Sequence, residues 1–140
     1  MDLNQVTLTV DDMDAGLAFY EALGLRLIVH THDRYARFEL PSGSATLSLH
    51  LGERPGPGGP ALYFETDNVD ARYEALHAVG VPFDGPPEDK SWRRREAWFT
   101  DPSGNQLCLY HAGPDRRFPP WRREGGRREE SRGQTDGARG

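Results

Sequence analysis

Two stretches of the chain carry apolar side chains at helical spacing, and each is flanked by short segments in which apolar and polar residues alternate. The helical positions are Met13, Leu17, Tyr20 and Leu23 in the first stretch and Val69, Tyr73, Leu76 and Val79 in the second. Spacings of three and four residues place such side chains on one face of an α-helix. Alternation with a period of two is typical of strands with one buried face. The pattern therefore predicts two helices, each preceded by one strand and followed by several more.

The two stretches are copies of one unit. A shift of 56 residues aligns the segment that begins at Val6 with the segment that begins at Leu62 without a gap. Polar residues able to cap a helix precede each stretch, a glycine follows it, and a Pro-Ser-Gly turn separates the last two strands of each copy. We therefore predict the order βαβββ twice, as module 1 (residues 1–51) and module 2 (residues 61–113), joined by a linker rich in Gly and Pro.

This order predicts a single α+β domain over residues 1–113. Each module should form part of a curved mixed sheet that carries its helix on one face and leaves the other face uncovered. Pairing of the uncovered faces would enclose a cleft for a small molecule and leave the helices on the outside. The sequence leaves open whether the two halves of one cleft come from one chain or from two.

Alternation also assigns the side chains that face the cleft, because neighbouring strand residues point to opposite sides of a sheet. In module 1 they are Gln5, Thr7, Thr9, Tyr35, Arg37, Glu39, Thr46, Ser48 and His50. In module 2 they are Ala61, Tyr63, Glu65, Glu96, Trp98, Cys108 and Tyr110. Buried polar groups need hydrogen-bond partners, so a purely structural core would not favour this composition. Trp92 and the arginines after it are interpreted either as a flap over the cleft or as a solvated loop.

The opening run NQVTLTVDDMDAGLAFYEALGL and the closing run SWRRREAWFTDPSGNQLCLY resemble the vicinal oxygen chelate superfamily of glyoxalases, bleomycin-resistance proteins and extradiol dioxygenases. The resemblance covers residues 3 to about 112. Its most specific part runs from Trp92 to Asn105 and is similar to the same stretch in antibiotic-sequestering members. The resemblance implies the two-module fold and a homodimer, which exposed sheet edges also favour.

In metal-dependent members of that superfamily, each module supplies one ligand from its first strand and one from its last. The resemblance carries these places onto Gln5, Ser48, Ala61 and Cys108. Alanine has no donor atom, neutral serine is a poor ligand, and a lone thiolate beside an amide is not a set that divalent ions prefer. We therefore expect no cofactor. A divalent metal remains an alternative at a displaced site, with Gln5 and His50 as weak candidate ligands.

Three functions follow from these residues. The first is a metal-free binding protein of the bleomycin-resistance kind that holds an aromatic or polar small molecule by stacking and hydrogen bonds, with a planar aromatic compound as a candidate ligand. Its candidate ligand contacts are Gln5, Tyr35, Arg37, Tyr63, Trp92, Trp98, Cys108 and Tyr110. The second is an enzyme: a metal-dependent lyase, isomerase or dioxygenase with the displaced site, or a metal-free acid/base catalyst that uses His50 with Glu65 or Glu96. The third is an interaction module with a vestigial pocket.

Each candidate also has a plainer interpretation. His50 can be a solvated histidine at the mouth of the cleft, and the carboxylates of Glu65 and Glu96 can form ion pairs with Arg37 or Arg95. The aromatic rings can simply fill the cavity.

Charge and composition narrow the partners and the location. Residues 1–113 hold 9 Lys and Arg against 17 Asp and Glu, which argues against a nucleic-acid surface on the domain. Residues 114–140 hold 8 Arg against 5 acidic residues among many glycines, which predicts a disordered tail. The chain begins with no signal-like or membrane-spanning segment, and its single cysteine agrees with a reducing compartment, so we predict a cytoplasmic protein.

Overall fold

The computed structural model describes residues 1–123, in which the strands and helices follow the predicted order. Module 1 consists of β1 (Gln5–Val10), α1 (Met13–Ala22), β2 (Arg26–Thr31), β3 (Tyr35–Glu39) and β4 (Thr46–Leu51). Module 2 consists of β5 (Ala61–Glu65), α2 (Val69–Ala78), β6 (Glu88–Lys90), β7 (Arg94–Thr100) and β8 (Gln106–His111). A short 3-10 helix, Gly113–Arg116, follows at the predicted domain boundary. Residues 124–140 of the predicted tail lie outside the described residues.

Each module forms one four-stranded mixed sheet, and the two sheets have the same strand order, β1-β4-β3-β2 and β5-β8-β7-β6. The first and last strands of each module are parallel, and the remaining pairs are antiparallel. The α+β class with two βαβββ modules is therefore confirmed. No helix within residues 1–123 is long and apolar enough to cross a membrane.

The two helices begin and end alike. Asp12 and Asn68 have extended backbones, and the side chain of each accepts a 3.0 Å hydrogen bond from the backbone N–H three residues later. Both helices are followed by a glycine in the left-handed region, Gly24 with φ of 99° and Gly80 with φ of 95°. These are the N-cap and C-terminal arrangements that the sequence predicts.

One apolar core joins the helix-facing sides of the two sheets. Tyr20 and Phe38 of module 1 and Phe99 and Leu107 of module 2 belong to it, and each is at most 2% exposed. The ring of Phe19 on α1 lies 6.2 Å from that of Phe99, centroid to centroid. The modules of one chain therefore meet through their helix-facing sides, and within the described part of the chain no strand of one sheet pairs with the other sheet.

The turn between β7 and β8 reinforces this contact. The buried carboxylate of Asp101 accepts a 2.7 Å hydrogen bond from the Tyr20 hydroxyl and 2.9 Å bonds from the backbone N–H groups of Ser103 and Asn105. The Ser103 hydroxyl donates to Asp11 at 2.7 Å, and the Asn105 amide donates to a backbone carbonyl of β1 at 2.9 Å. Residues that suit a tight turn thus also connect module 2 to the first strand and helix of module 1.

Candidate functional site

The side chains that alternation assigns to the cleft lie on the sheet faces opposite the shared core. In β4, Leu47 and Leu49 enter the core while the fully buried Ser48 between them takes the other side. In β7, Phe99 enters the core while Trp98 packs in a separate cluster. We call the face of module 1 the polar face; its members are Gln5, Thr7, Thr9, Tyr35, Arg37, Glu39, Thr46, Ser48 and His50. We call the face of module 2 the aromatic face; its members are Tyr63, Glu65, Arg94, Glu96, Trp98, Cys108 and Tyr110.

A hydrogen-bonded trio occupies the centre of the polar face. The Tyr35 hydroxyl lies 2.7 Å from the hydroxyl of Ser48, and the Nε of Arg37 donates to the Tyr35 oxygen at 2.9 Å. The bond to Ser48 lowers the pKa of Tyr35; burial opposes this effect, while the hydrogen bond and charge of Arg37 add to it. The structure therefore brings two predicted ligand contacts, Tyr35 and Arg37, together and adds Ser48 as the second hydrogen-bond partner of Tyr35.

The two weak candidate metal ligands are not brought together. Gln5 is the register partner of Thr46, and its side-chain oxygen accepts a 3.2 Å hydrogen bond from the Thr46 hydroxyl. His50 is exposed and lies on β4, four residues beyond Thr46. At 3.3 Å per residue this places it about 13 Å from Thr46 along the strand. Two ligands of one ion lie within about 4 Å of each other, because each bond to the metal is about 2 Å long.

The donor set carried over from metal-dependent members does not fit a divalent ion. Ala61 offers no side-chain donor, and the Ser48 oxygen is engaged by Tyr35. Burial, followed by the nearby charge of Glu96, raises the pKa of the Cys108 thiol to about 12, so the thiolate is disfavoured while no metal is bound. Among residues 1–123, no group of three or more His, Cys, Asp and Glu side chains could hold a metal ion.

Three rings pack edge to face on the aromatic face. The ring of Tyr63 lies 5.5 Å from that of Trp98 at 77° and 5.6 Å from that of Tyr110 at 84°. The guanidinium of Arg94, a residue only 6% exposed, lies 4.6 Å from the Tyr110 centroid and 5.5 Å from the Tyr63 centroid. Tyr63 itself is 45% exposed. These rings therefore form an ordered cluster that a further planar group can reach at Tyr63.

A buried carboxylate fixes two tryptophans beside these rings. Glu96 is 5% exposed, and its two oxygens accept hydrogen bonds from the indole N–H of Trp92 at 2.9 Å and of Trp98 at 3.0 Å. Trp92, interpreted above as part of a flap or a loop, is thus held against β7. Arg93, next to it, has a left-handed backbone with φ of 66° and forms a 2.9 Å ion pair with Asp115.

Glu65 and Glu96 stand on either side of Tyr110 in the sheet, about 10 Å apart at the usual strand spacing. The carboxylate of Glu65 accepts 2.8 Å bonds from the backbone N–H groups of Ala112 and Gly113. Burial by itself would raise the pKa of Glu65, but these two bonds, the charge of His111 and a hydrogen bond with Tyr110 together lower the pKa below its ordinary value. Each carboxylate is therefore anchored by its own donors.

Sequence reasoning missed Arg94. The sequence places the arginines at positions 93 to 95 in a flap or a solvated loop, whereas β7 begins at Arg94 and this residue is buried. The signal was available, since Arg94 continues the alternation through Glu96 and Trp98 and therefore belongs on the same face.

A cavity of about 560 Å³ lies at the junction of the two modules. Its lining comes mostly from the helix-facing sides, including Leu23 and Leu25 of module 1 and Phe64 and Leu76 of module 2. Of the predicted cleft residues only Tyr63 and Glu65 contribute to it. This cavity therefore borders the aromatic face at Tyr63 and Glu65 but includes no residue of the polar face and no other residue of the aromatic face.

Comparison with known proteins agrees with this architecture. The family model described as Glyoxalase/Bleomycin resistance protein/Dioxygenase superfamily matches residues 2–109. The uncharacterized protein YraH of Bacillus subtilis (strain 168) is 32% identical over 125 residues, with coverage of 79% of this chain and 98% of that protein.

Solved structures are similar as well. A member of the glyoxalase/bleomycin resistance protein/dioxygenase superfamily from Sphaerobacter thermophilus has a TM-score of 0.66 at 28% identity, covering 79% of this chain and 97% of its own. A lactoylglutathione lyase from Agrobacterium tumefaciens has a TM-score of 0.65 at 20% identity, covering 79% and 92%, a likeness that shows the fold alone. With the repeated modules, the closing motif and the family match in agreement, the chain belongs to the glyoxalase/bleomycin resistance protein/dioxygenase superfamily.

Proposed function

We propose that the chain is a metal-free binding protein of this superfamily that holds a planar aromatic small molecule on its aromatic face. The observation that carries the proposal is the edge-to-face cluster of Tyr63, Trp98 and Tyr110 beside the buried carboxylate of Glu96.

The aromatic face has its side chains fixed before a ligand arrives. Glu96 holds the indole of Trp98 by a hydrogen bond, and Arg94 lies against the rings of Tyr63 and Tyr110. Binding then requires little further ordering of these side chains, which favours affinity. An apolar surface with a few fixed polar groups is also the usual composition of small-molecule sites.

We further propose that the cleft is completed by a second copy of the chain. A sheet face alone covers only one side of a flat ligand. The two modules of one chain pack through their helix-facing sides, so the aromatic face is available to the polar face of a partner in a homodimer.

The ligand proposal is tested by screening planar aromatic compounds for thermal stabilisation of the full chain. We expect stabilisation that increases with ligand concentration in the unmodified protein. Trp98→Ala should lose it, while Phe118→Ala, which removes an exposed aromatic ring outside the face, should retain it. Tyr63→Ala serves as a second variant because this side chain is half exposed and its removal disturbs the core least. Equal stabilisation of all variants would contradict the proposal.

The shared cleft is tested by light scattering and by mixing two variants. Arg37→Trp obstructs the polar face, and Trp98→Ala removes the centre of the aromatic face. If each cleft combines two chains, equal mixing after unfolding and refolding restores about a quarter of the sites, since half of the dimers are mixed and each has one intact cleft. A monomer in solution, or no restored binding in a mixed dimer, would show that the cleft does not span two chains.

The metal question is settled by elemental analysis of protein purified without added metal. We expect less than stoichiometric divalent metal in both the unmodified protein and the His50→Ala variant. A stoichiometric ion that disappears in His50→Ala would overturn the metal-free proposal and favour a metal-dependent enzyme with a displaced site. Location in the cytoplasm stays a prediction.

A further inference from the structure

The polar face carries an arginine whose charge is not neutralised by an ion pair within the described residues. Arg37 uses its Nε to donate to the Tyr35 hydroxyl at 2.9 Å, and neither of its terminal nitrogens takes part in an ion pair there. Glu39, the acidic residue on the same strand, instead lies 3.9 Å from Arg26.

Two arginines in or beside β7 are different. Arg95 of β7 is held between Asp70 at 2.8 Å and Asp89 at 3.0 Å, and Arg93 pairs with Asp115 at 2.9 Å. These carboxylates neutralise the positive charge of both guanidinium groups. Arg37 instead has an ordered hydroxyl partner and keeps its positive charge for another group.

We propose that Arg37 and Tyr35, supported by Ser48, form the binding site for an anionic group of the ligand, so that the ligand is a planar aromatic carboxylate. This inference rests on the proposed binding function and names the chemical class of its ligand. The aromatic face receives the ring, and the polar face of the partner copy receives the carboxylate.

The geometry of the trio suits this role. The Tyr35–Arg37 bond occupies the Nε of the guanidinium and leaves its outer edge, formed by the two terminal nitrogens, for a bidentate carboxylate. The hydroxyl bond between Tyr35 and Ser48 can run in either direction. Ser48 can therefore donate to Tyr35 while Tyr35 donates to the anion.

The trio is fixed in place as a recognition site requires. Ser48 is fully buried, which holds the Tyr35 hydroxyl at one position above the sheet. His50 is the direct cross-strand neighbour of Tyr35 on this face.

The experiment compares naphthoate with naphthamide, two probes of the same shape that differ in the carboxylate. Binding to the full chain is measured by titration calorimetry or by tryptophan fluorescence. We expect naphthoate to bind at least about tenfold more tightly than naphthamide, as for a hydrogen bond to a charged group. Arg37→Gln should abolish the preference without weakening naphthamide, and Tyr35→Phe should reduce it. Arg34→Gln, which removes an exposed arginine from the neighbouring turn, should leave it unchanged.

The outcomes separate the two proposals. Equal binding of both probes, with dependence on Trp98, would overturn the carboxylate site and leave the aromatic-ligand function intact. An equal loss of preference in Arg37→Gln and Arg34→Gln would also overturn it, because net charge and not the trio would then explain the effect. Failure of both probes to bind would count against both proposals.

Discussion

The two modules have the same strand order and pairing but carry different side chains on their uncovered faces. At the centre of each face, three residues are paired across neighbouring strands. They are Thr7, Ser48 and Arg37 in module 1 and Tyr63, Cys108 and Trp98 in module 2. The middle residue is small and fully buried in both. At the next paired position on the same faces, Thr9, His50 and Tyr35 correspond to Glu65, Tyr110 and Glu96. The strand pairing thus fixes where a side chain stands, and the residue type alone decides whether the face presents a charge or a ring.

The Pro-Ser-Gly turns show a second difference. In module 1, Ser42 and Gly43 are exposed, and Gly43 has no neighbouring atom within 4 Å of where a Cβ would stand. In module 2, Ser103 is 1% exposed and bonds to Asp11 of the other module. Identical residues at matching places therefore serve as a plain turn in one module and as an intermodule contact in the other.

The largest effect is expected from Asp101→Ala. The substitution leaves the Tyr20 hydroxyl and the N–H groups of Ser103 and Asn105 without their buried acceptor. We expect a loss of about 3–5 kcal/mol in the free energy of unfolding, measured by urea denaturation. The double variant with Tyr20→Phe should lose less stability than the sum of the losses in the two single variants, because the two side chains share one hydrogen bond. A loss under about 1 kcal/mol would show that the modules do not depend on this turn.

Glu96→Gln should have the next largest effect. An amide has only one acceptor oxygen, so one of the two indole N–H groups would face another donor. We expect a loss of about 2 kcal/mol in the free energy of unfolding together with a change in tryptophan fluorescence. Glu39→Gln on the exposed end of the polar face is the control and should change stability by less than about 0.5 kcal/mol. Equal losses in Glu96→Gln and Glu39→Gln would mean that the hydrogen bonds of Glu96 to the two indoles do not stabilise the fold.

The matched turns supply the third prediction. Ser103→Ala removes the hydroxyl that donates to Asp11 and accepts from its backbone N–H, and we expect a loss of about 1–1.5 kcal/mol. Ser42→Ala, at the equivalent exposed position, should change the free energy of unfolding by less than about 0.5 kcal/mol. If the two substitutions have the same effect, the contact between Ser103 and Asp11 does not stabilise the protein.

The smallest effect concerns the pH dependence of stability. Because the pKa of Glu65 is lowered below its ordinary value of 4.5, its ionised form stabilises the fold above about that pH. The contribution is lost as the pH falls through the folded-state pKa. Unfolding free energies of the unmodified protein and Glu65→Gln should therefore differ by about 1 kcal/mol at neutral pH and converge in acid. Thr9→Val, at the equivalent place in module 1, should show a difference that does not vary with pH, and a Glu65 difference that grows in acid would contradict the argument.

Much of this arrangement is predictable because it depends on local chemistry. The period of the apolar positions gives both helices, the repeat gives the order of strands, and alternation places Ser48, Trp98 and Tyr110 on the faces where the structure has them. Short polar residues before each helix and glycines after it mark the ends for the same reason.

The remainder depends on contacts between residues far apart in the sequence. Asp101 is an ordinary turn residue until Tyr20, 81 positions earlier, is placed over it. Nothing local indicates that both oxygens of Glu96 accept from indoles, or that the shared core forms on the helix-facing sides and leaves the two faces pointing away from it. Such features follow from the packing of whole modules, which the periodicity of a single strand does not encode.

Cys108 is the one cysteine of the chain, and it is fully buried as a thiol with a strongly raised pKa. It should therefore not react with thiol-directed reagents in the folded protein. An introduced cysteine on an exposed site can then be labelled selectively without first replacing the native one. Ser42→Cys places such a label on the exposed turn that borders the intermodule cavity. A fluorophore there would report on the junction of the modules, independently of the tryptophans that report on the aromatic face.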